Sequence, residues 1–536
     1  MEQPVVPITN DTITVREAVF QLLRELGMTT VFGNPGSTEL PMFMDFPEDF
    51  RYVLGLQECV VVGMADGHAQ ATHNAAFINL HSAAGVGHAM GNIFTAYRNQ
   101  TPLVITAGQQ ARSILPFEPF LGSNQASELP KPYVKWSVEP ARAEDVPLAV
   151  ARAYYIAMTP PRGPVLVSIP SDDWAVQTHP VVARQVSRAL RPEPEALAAI
   201  AGALDAARAP AIVVGAAVDR DGAWDEAVRL AERHNARVYV APMSGRCSFP
   251  EDHPLWAGFL PAMRERIVER LAGHDLVFAL GAPAFTYHVE GIGPHLPEGA
   301  SLVQMTDDPQ VAAWAPTGTS VICSIRLGLV DLLAQSAPPP RARPPALARP
   351  ARVATPPADE RLSVDWVLQT LTDVRPRDSI IVEEAPSARS VMHAHLPIFG
   401  TETFYTMASG GLGWSLPAAV GVALGKPGKR VIALIGDGSA MYAIQALWSA
   451  VQLGMPITVV ILNNRRYAAL HEFARLFGYR HDDPVPGTDL PDLDFVGLAA
   501  AQGMQGLRVE RAEALRPALM HGLQASGPLL IEVVVR

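Results

Sequence analysis

The segment spanning residues 431–464 constrains the fold most tightly, because its pattern of apolar residues changes twice. Val431–Ile435 and Ile457–Leu462 are apolar runs of strand length, and both are rich in β-branched residues. Between them, apolar residues recur at helical spacing from Met441 until Gly454 ends the pattern. Two fully apolar strands joined by a helix predict a βαβ unit within a parallel sheet.

Polar residues follow both strands, where open parallel sheets bind their ligands. Asp437 and Asn464 offer oxygen ligands suited to Mg²⁺. Gly436 and Gly438 allow close approach of the backbone to a ligand, and Ser439 is expected to begin a helix whose free N–H groups favour an anion. The pattern predicts a metal-bridged diphosphate site. For Gly436–Ser439 taken alone, the alternative is a turn that only joins two elements.

The alternation of strands and helices recurs along the rest of the chain. Further strands are predicted at 30–32, 52–56, 76–80, 103–106, 165–169, 211–214, 238–240, 276–280, 379–383 and 529–535. Helices are predicted at 14–27, from 58 onward, at 223–234 and at 362–374. We therefore expect an α/β protein with three doubly wound parallel-sheet domains at 1–185, 190–336 and 361–536, and a Pro-rich linker at 337–360.

Composition excludes several classes of protein. The chain has 536 residues, a formal net charge of −11 and 49% hydrophobic residues, which argues against disorder and against a nucleic-acid partner. Three scattered cysteines give neither a disulfide framework nor a zinc motif. We found no apolar run of about 18 residues and no signal peptide, so a cytoplasmic protein without a membrane partner is expected.

The Gly436–Ser439 motif and the Asn pair that ends the second strand resemble the thiamine diphosphate (ThDP)-dependent decarboxylase and synthase family. The resemblance implies ThDP and Mg²⁺ as cofactors. It makes Asp437, Asn464 and the backbone carbonyl of Arg466 the metal ligands. The sequence departs from the family after the Asn pair, where Arg465 replaces a residue that is often small or Gly, and after Tyr467, where Ala468 replaces a frequent Gly. The role of the Arg465 and Arg466 side chains stays open.

The first third of the chain extends the resemblance. The stretches FGNPGSTELP, LQECVVVGMADGHAQA, FINLHSAAG and PLVITAGQQ are similar to the pyrimidine-binding domain of the benzoylformate decarboxylase branch. This implies that Glu58 meets the pyrimidine ring of ThDP, and that Ser37 and His81 are active-site residues. Read from the residues alone, Glu58 could simply be an N-terminal helix charge, and His81 could be structural.

The resemblance implies further site residues in the rest of the chain. His288 matches a second active-site histidine, although a surface loop histidine is the alternative. The remaining cofactor contacts would come from Ser387, Gly410, Leu412, Gly436, Gly438, Ser439 and Tyr467. The substrate pocket would be lined by Ser37, Phe120, Leu121, Ala469, Leu470 and Phe473. His471 and Glu472 depart from that branch, so substrate specificity could differ. Pro386 replaces a hydroxyl residue of that branch, so one phosphate contact could be missing.

The expected activity is ThDP- and Mg²⁺-dependent, non-oxidative decarboxylation of an aromatic 2-keto acid, with benzoylformate as the substrate and benzaldehyde as the product. The alternatives are a ThDP-dependent carboligase resembling acetolactate synthase, a decarboxylase of another 2-keto acid, and a catalytically silent ThDP- or nucleotide-binding protein. The resemblance also implies self-association, with a homodimer as the minimum and a homotetramer as the expected state. The middle domain is expected to be structural.

Overall fold

The computed structural model describes residues 12–335, 338–357, 360–481 and 483–536. The chain divides into two compact units, Met1–Ser187 and Arg188–Arg536. The predicted N-terminus without a signal peptide, the last residue of the predicted middle domain and parts of the linker lie outside the described residues. Within the linker, residues 338–357 form no helix or strand. The predicted domain boundaries stay predictions.

The first unit is built around a six-stranded parallel sheet. The strands of the whole unit are β1 (Ile13–Thr14), β2 (Thr30–Asn34), β3 (Arg51–Leu54), β4 (Ala76–Leu80), β5 (Leu103–Gln109), β6 (Ser137–Val138), β7 (Pro164–Pro170) and β8 (Gln177–Thr178). Its helices are α1 (Val15–Glu25), α2 (Leu40–Phe43), α3 (Glu58–Thr72), α4 (Ser82–Asn99) and α5 (Val146–Met158). The sheet order is β3-β2-β4-β5-β7-β6, while β1 and β8 form a separate antiparallel pair.

The second unit contains two more six-stranded sheets, of which the first has the order β11-β10-β9-β12-β13-β14. These strands are β9 (Pro210–Val214), β10 (Arg237–Val240), β11 (Trp256–Phe259), β12 (Leu276–Leu280), β13 (Ser301–Thr306) and β14 (Thr319–Ile322). The helices are α6 (Pro194–Ala206), α7 (Ala216–Arg220), α8 (Trp224–His234), α9 (Arg264–Arg270), α10 (Pro309–Ala313) and α11 (Ile325–Leu333). Ile212 and Val214 pack on one face of this sheet, and Ala211 and Val213 pack on the other, because successive side chains of a strand alternate.

The other sheet of the second unit has the order β16-β15-β17-β18-β20-β19. Its strands are β15 (Ile380–Glu384), β16 (Phe404–Thr406), β17 (Val431–Gly436), β18 (Ile457–Asn463), β19 (Gln505–Val509) and β20 (Leu529–Val534). The helices are α12 (Val364–Val374), α13 (Arg389–His395), α14 (Ser415–Gly425), α15 (Asp437–Ala440), α16 (Ala446–Gln452), α17 (Ala468–Ala474), α18 (Phe495–Ala501) and α19 (Ala512–Gln524). All neighbouring strands run parallel.

The prediction of an α/β protein with three doubly wound parallel sheets is confirmed. The apolar runs became central strands, since a strand covered by helices on both faces needs apolar residues at every position. Val31, Phe77 and Val104, from three neighbouring strands, pack with Val19 and Leu23 of α1 in the core of the first unit.

The prediction of a single helix that begins at Ser439 and ends before Gly454 is wrong in detail. The chain forms the short helix α15 first, turns through residues 441–445, and resumes as α16 at Ala446. Tyr442 lies in this break and packs on Gly413, where a Cβ atom would lie 2.7 Å from the Cβ of Tyr442. A tertiary contact therefore overrides the helical period of the sequence.

A buried ion pair joins the two sheets of the second unit. The Arg246 guanidinium lies 2.8 Å from the Asp219 carboxylate, and both side chains are almost fully buried. Asp219 also accepts hydrogen bonds from the Thr401 hydroxyl and the Glu402 N–H, at 2.6 and 3.0 Å. The guanidinium stacks 3.9 Å above the ring of Tyr405. Because both charges are desolvated, each depends on its partner.

We predict that Arg246→Met lowers the free energy of unfolding by about 3–5 kcal/mol, because Asp219 keeps a buried charge without its partner. Urea denaturation followed by circular dichroism measures the change. Lys131→Met is the control, since it breaks the exposed pair with Glu128 and should cost at most about 1 kcal/mol. Equal losses in the two variants would contradict the prediction.

Candidate active site

In the first unit, the loop after β2 meets the end of β4. The predicted residue His81 directly follows β4 and forms the N-cap of α4. The predicted residue Ser37 lies on the adjoining turn and is exposed. Gly36 packs against His81, because a Cβ atom on Gly36 would lie 2.3 Å from the imidazole Nδ1. The structure therefore brings the Ser37 turn and His81 together.

Glu39 is a site residue that the sequence did not single out. Its buried carboxylate accepts a hydrogen bond from the Gly36 N–H at 2.8 Å and from the Thr38 hydroxyl at 2.7 Å. The same carboxylate lies 2.9 Å from Nδ1 of His81. The available signal was an acidic residue in a strand-end loop of otherwise small or apolar residues.

The contacts of His81 determine which ring nitrogen carries its proton. Nδ1 lies within hydrogen-bond distance of the Glu39 carboxylate and of the Thr38 hydroxyl oxygen. Thr38 donates its only hydroxyl hydrogen to Glu39. Both neighbours of Nδ1 therefore act as acceptors, so Nδ1 is protonated. In the neutral ring, Nε2 is then left as a hydrogen-bond acceptor or a base.

Glu58 begins α3, as predicted. The side chain of Gln57 caps this helix by accepting hydrogen bonds from the N–H groups of Cys59 and Val60. Glu58 is mostly buried, and its carboxylate lies 3.2 Å from Nδ1 of His88 on α4. A Cβ atom on Gly85 would lie 3.5 Å from the Glu58 side chain, so α4 passes close to this carboxylate.

Phe120 and Leu121 follow the short 3-10 helix Leu115–Phe117 in the same unit. Phe120 is 87% exposed and Leu121 is 37% exposed. The loop is held by the Gln110 side chain, which donates to the Phe120 carbonyl at 2.9 Å. Within this unit, the two predicted pocket residues present an apolar surface and do not line an enclosed cavity.

In the second unit, parallel pairing of β17 with β18 brings the predicted metal-binding residues to one edge. Gly436 is in register with Leu462, so Asp437 and Asn464 follow neighbouring strand ends. The Asp437 carboxylate accepts hydrogen bonds from the backbone N–H groups of Gly438 and Arg465, at 2.8 and 2.6 Å. Ser439 lies inside the four-residue helix α15 and does not begin it.

Burial raises the pKa of Asp437, and backbone N–H groups oppose this shift. A buried carboxylate that is held by amide groups at a sheet edge suits a divalent cation. The Asn464 side chain and the Arg466 carbonyl, which follow β18, offer neutral oxygen atoms. The described residues contain no cluster of three or more His, Cys, Asp or Glu that could hold a metal, but this ligand set includes only one such residue. The residues therefore fit Mg²⁺ bound to a diphosphate.

A segment around Thr488 covers the backbone of residues 465–467. Leu490 donates to the Arg465 carbonyl, and Tyr467 donates to the Thr488 carbonyl, both at 2.8 Å. His471 Nε2 lies 2.9 Å from the Thr488 hydroxyl oxygen, whose hydrogen is donated to Val485. Because that hydrogen is already used, His471 must donate from Nε2. His471, a departure from the family pattern, therefore holds this covering segment in place.

Gly438 and Tyr467 are in close contact, which explains the glycine. A Cβ atom at residue 438 would lie 2.2 Å from the Tyr467 ring.

The Arg466 carbonyl accepts a hydrogen bond from Ala468 N–H at 2.9 Å, which occupies only one of its two lone pairs. The same carbonyl can therefore also face a metal.

Two further predicted residues of the second unit, Ser387 and His288, contact α17. The Ser387 hydroxyl accepts a hydrogen bond from Ala469 N–H at 3.1 Å. The rings of His288 and Phe473 lie 4.5 Å apart at a steep angle, and Leu470 on the same helix is half exposed. The histidine after β12 and the apolar residues of α17 thus form one surface.

Gly410 and Leu412 lie on the loop between β16 and α14. Gly410 has a φ of +75° and Gly413 has a φ of +98°, a backbone region that favours glycine. At the end of the loop, the N–H groups of Gly413 and Ser415 donate hydrogen bonds to the carboxylate of Glu384. Glu384 is a second residue that the sequence did not single out. Burial raises the pKa of Glu384 to about 7, and the backbone N–H groups of Gly413, Ser415 and Trp414 oppose this rise because they stabilise the carboxylate.

Among the described residues, no helix has the length and apolar character needed to span a bilayer.

Comparison with known protein families identifies the class of this chain. The model of the N-terminal thiamine pyrophosphate (TPP) binding domain matches residues 13–127, that of the central domain matches 197–332, and that of the C-terminal TPP binding domain matches 387–533. The chain belongs to the thiamine pyrophosphate enzyme family. Thiamine pyrophosphate is another name for ThDP, and the two matching TPP binding domains confirm the prediction of this cofactor.

Individual relatives narrow the comparison. Benzoylformate decarboxylase of Pseudomonas aeruginosa is 46% identical over 525 residues, which cover 97% of this chain and 98% of that protein. The structure of 4-hydroxybenzoylformate decarboxylase from Rhodococcus jostii RHA1 is 42% identical with a TM-score of 0.94, covering 98% of this chain and 99% of that one. Benzoylformate decarboxylase from Polynucleobacter necessarius is 42% identical with a TM-score of 0.92, covering 97% of this chain and 98% of that one.

We predict that Glu39→Gln lowers the free energy of unfolding by about 1–3 kcal/mol, since an amide presents N–H groups to neighbours that need an acceptor. Urea denaturation measures the loss, and Glu48→Gln, at an exposed position, is the matched control. NMR of protein labelled with ¹⁵N-histidine should show His81 protonated at Nδ1 in the wild-type protein. A His81 ring protonated only at Nε2 would refute the assignment.

Proposed function

We propose that this chain catalyses the non-oxidative decarboxylation of an aromatic 2-keto acid, with benzoylformate as the substrate and benzaldehyde and CO₂ as the products. The observation that carries the proposal is the near full-length similarity to enzymes named as benzoylformate and 4-hydroxybenzoylformate decarboxylases. The reaction consumes one proton, which takes the place of the carboxylate on the carbonyl carbon. Supporting evidence comes from the two histidines and the apolar surface of α17.

Cofactor binding is assigned to residues at the edge of the last sheet. Asp437, Asn464 and the Arg466 carbonyl would hold Mg²⁺, and Ser387, Gly436, Gly438, Ser439 and Tyr467 would surround the diphosphate. Gly410 and Leu412 would contact the organic rings. When bound, ThDP supplies an electron sink for the decarboxylation. The carboxyl of Glu58 would hydrogen-bond the pyrimidine ring and exchange a proton with it.

The remaining site residues bind substrate and move protons. Ser37 would orient the substrate carboxylate through its hydroxyl group. His81, with Nδ1 protonated toward Glu39, presents Nε2 as the atom that takes up or delivers a proton. His288 would be the second proton carrier, and its contact with Phe473 sets its orientation. Phe120, Leu121, Ala469, Leu470 and Phe473 would enclose the phenyl group in an apolar environment.

We also propose that the protein self-associates, with a homodimer as the minimum and a homotetramer as the working state. The exposed apolar residues of both units support this, including Phe117, Phe120 and Phe477. A cytoplasmic location stays a prediction of the sequence. The reaction would serve aromatic catabolism, downstream of a step that forms an aromatic 2-keto acid, such as the oxidation of mandelate.

We predict that the purified protein, supplied with ThDP and Mg²⁺, decarboxylates benzoylformate at least about tenfold more efficiently than pyruvate or a branched-chain 2-keto acid, because the pocket is apolar and aromatic. Product analysis of each reaction gives the comparison, and chelation of the metal should abolish turnover until Mg²⁺ is restored. Acetolactate as the main product from pyruvate would favour a carboligase. No turnover of any acid would favour a silent binding protein.

We predict that Glu58→Gln lowers turnover by about 10²–10⁴-fold, the usual effect of removing an acid–base group. Steady-state assays at saturating ThDP and Mg²⁺ measure the loss, and Glu48→Gln provides the control at an exposed position. Circular dichroism should show that both variants are folded. Turnover in Glu58→Gln at the wild-type rate would exclude the proposed role of this carboxyl group.

A further inference from the structure

Two consecutive glutamates end β15, and both are buried. Glu383 and Glu384 lie next to each other in the strand, so their side chains point to opposite faces of the sheet. Glu383 accepts a hydrogen bond from the Thr406 hydroxyl at 2.8 Å and pairs with Arg389 at 3.3 Å. Thr406 is the last residue of β16, so Glu383 fastens the start of the loop that carries Gly410 and Leu412.

Glu384 fastens the other end of the same loop. One carboxylate oxygen accepts a hydrogen bond from Gly413 N–H at 2.5 Å. The second oxygen accepts from the N–H groups of Trp414 and Ser415, at 2.9 and 2.7 Å. These three N–H groups stand at the start of α14, where a helix has no backbone acceptors of its own. A single buried side chain therefore supplies the acceptors for three consecutive amides.

The chemistry of this arrangement requires a carboxylate. A carboxylate has acceptor lone pairs on both oxygens and carries no hydrogen, so it can face three donors at once. A glutamine of the same shape would turn an NH₂ group toward at least one of the amides. That amide would then face a hydrogen-bond donor in place of an acceptor, which is costly among buried residues.

The loop has little freedom to adjust on its other side. Gly413 adopts a φ of +98°, and its Cα faces Tyr442, so neither its conformation nor its packing tolerates a shift. Ser409 accepts a hydrogen bond from Gly411 N–H through its hydroxyl group, which tightens the turn around Gly410. The position of Leu412 is therefore determined largely by the amides that follow it.

We infer that Glu384 is a positioning residue for cofactor binding: its carboxylate fixes the amides of Gly413–Ser415 and thereby places Gly410 and Leu412 where ThDP binds. This inference rests on the proposed function, which assigns those two loop residues to the organic rings of the cofactor. Glu384 acts through the loop. The affinity of the apoenzyme for ThDP, more than the rate of the chemical step, should respond to its removal.

The test compares ThDP binding to apoenzyme for the wild type, Glu384→Gln and Glu251→Gln, by isothermal titration calorimetry in excess Mg²⁺. Glu251 is the matched control, since it is also buried and accepts a backbone hydrogen bond, from Ile398 at 2.9 Å. Both variants should lose stability. Glu384→Gln should bind ThDP about tenfold more weakly, whereas Glu251→Gln should stay within about twofold of the wild type.

A kinetic readout separates positioning from chemistry. In Glu384→Gln, the ThDP concentration required for half-maximal activity should rise about tenfold, while kcat at saturating ThDP stays within about threefold of the wild type. ThDP binding by folded Glu384→Gln with wild-type affinity would overturn the inference and leave the proposed function intact. Failure of the wild-type protein to bind ThDP would overturn the proposed function itself.

Hydrogen–deuterium exchange tests the inference without relying on a variant that must fold. In the wild-type apoenzyme, the amides of residues 413–415 should exchange slowly, because all three are bonded to a buried carboxylate. Peptides from the exposed loop around Phe120 provide the reference for fast exchange. Exchange at 413–415 as fast as in that loop would overturn the inference, even if Glu384→Gln cannot be purified.

Discussion

Parallel pairing of β17 with β18 is the interaction on which the site in the second unit depends. The register sets Gly436 opposite Leu462, so the chain leaves both strands at one edge. Asp437 then lies within hydrogen-bond distance of Arg465 N–H. Close packing on both faces of these strands keeps this register, because a shift by one residue would exchange side chains of different size between the two faces. The geometry of the proposed metal site is thus a consequence of sheet packing.

Buried carboxylates hold the site loops in both units. Glu39 fastens the turn beside His81, and Glu384 fastens the loop that carries Gly410 and Leu412. In each case the carboxylate accepts hydrogen bonds from backbone N–H groups of the loop. Loops built from small residues have few side-chain contacts of their own. A carboxylate anchored in a neighbouring element gives them a defined shape, which a binding site for a rigid cofactor requires.

Several parts of the site were predictable because local patterns determine them. The positions of Asp437 and Asn464 after strand ends could be predicted from the apolar runs and their lengths. The position of Glu58 at a helix start could be predicted from the apolar segment that follows it. The break between α15 and α16 was not predictable, since it depends on packing of Tyr442 against Gly413, which is distant in sequence. The exposure of Phe120 in the first unit was not predictable either, because apolar character alone does not say which surface covers a side chain.

By itself, the sequence determined the α/β class, the three parallel sheets and the strand ends that carry the site, because hydrophobic period and turn residues act locally. The family motifs added the cofactor. Only the tertiary structure decided that Glu39 orients His81, that Glu384 binds three amides and that His471 holds the segment at Thr488. These hydrogen bonds join residues far apart in the chain, and their formation depends on distances that exist only once the sheets have packed.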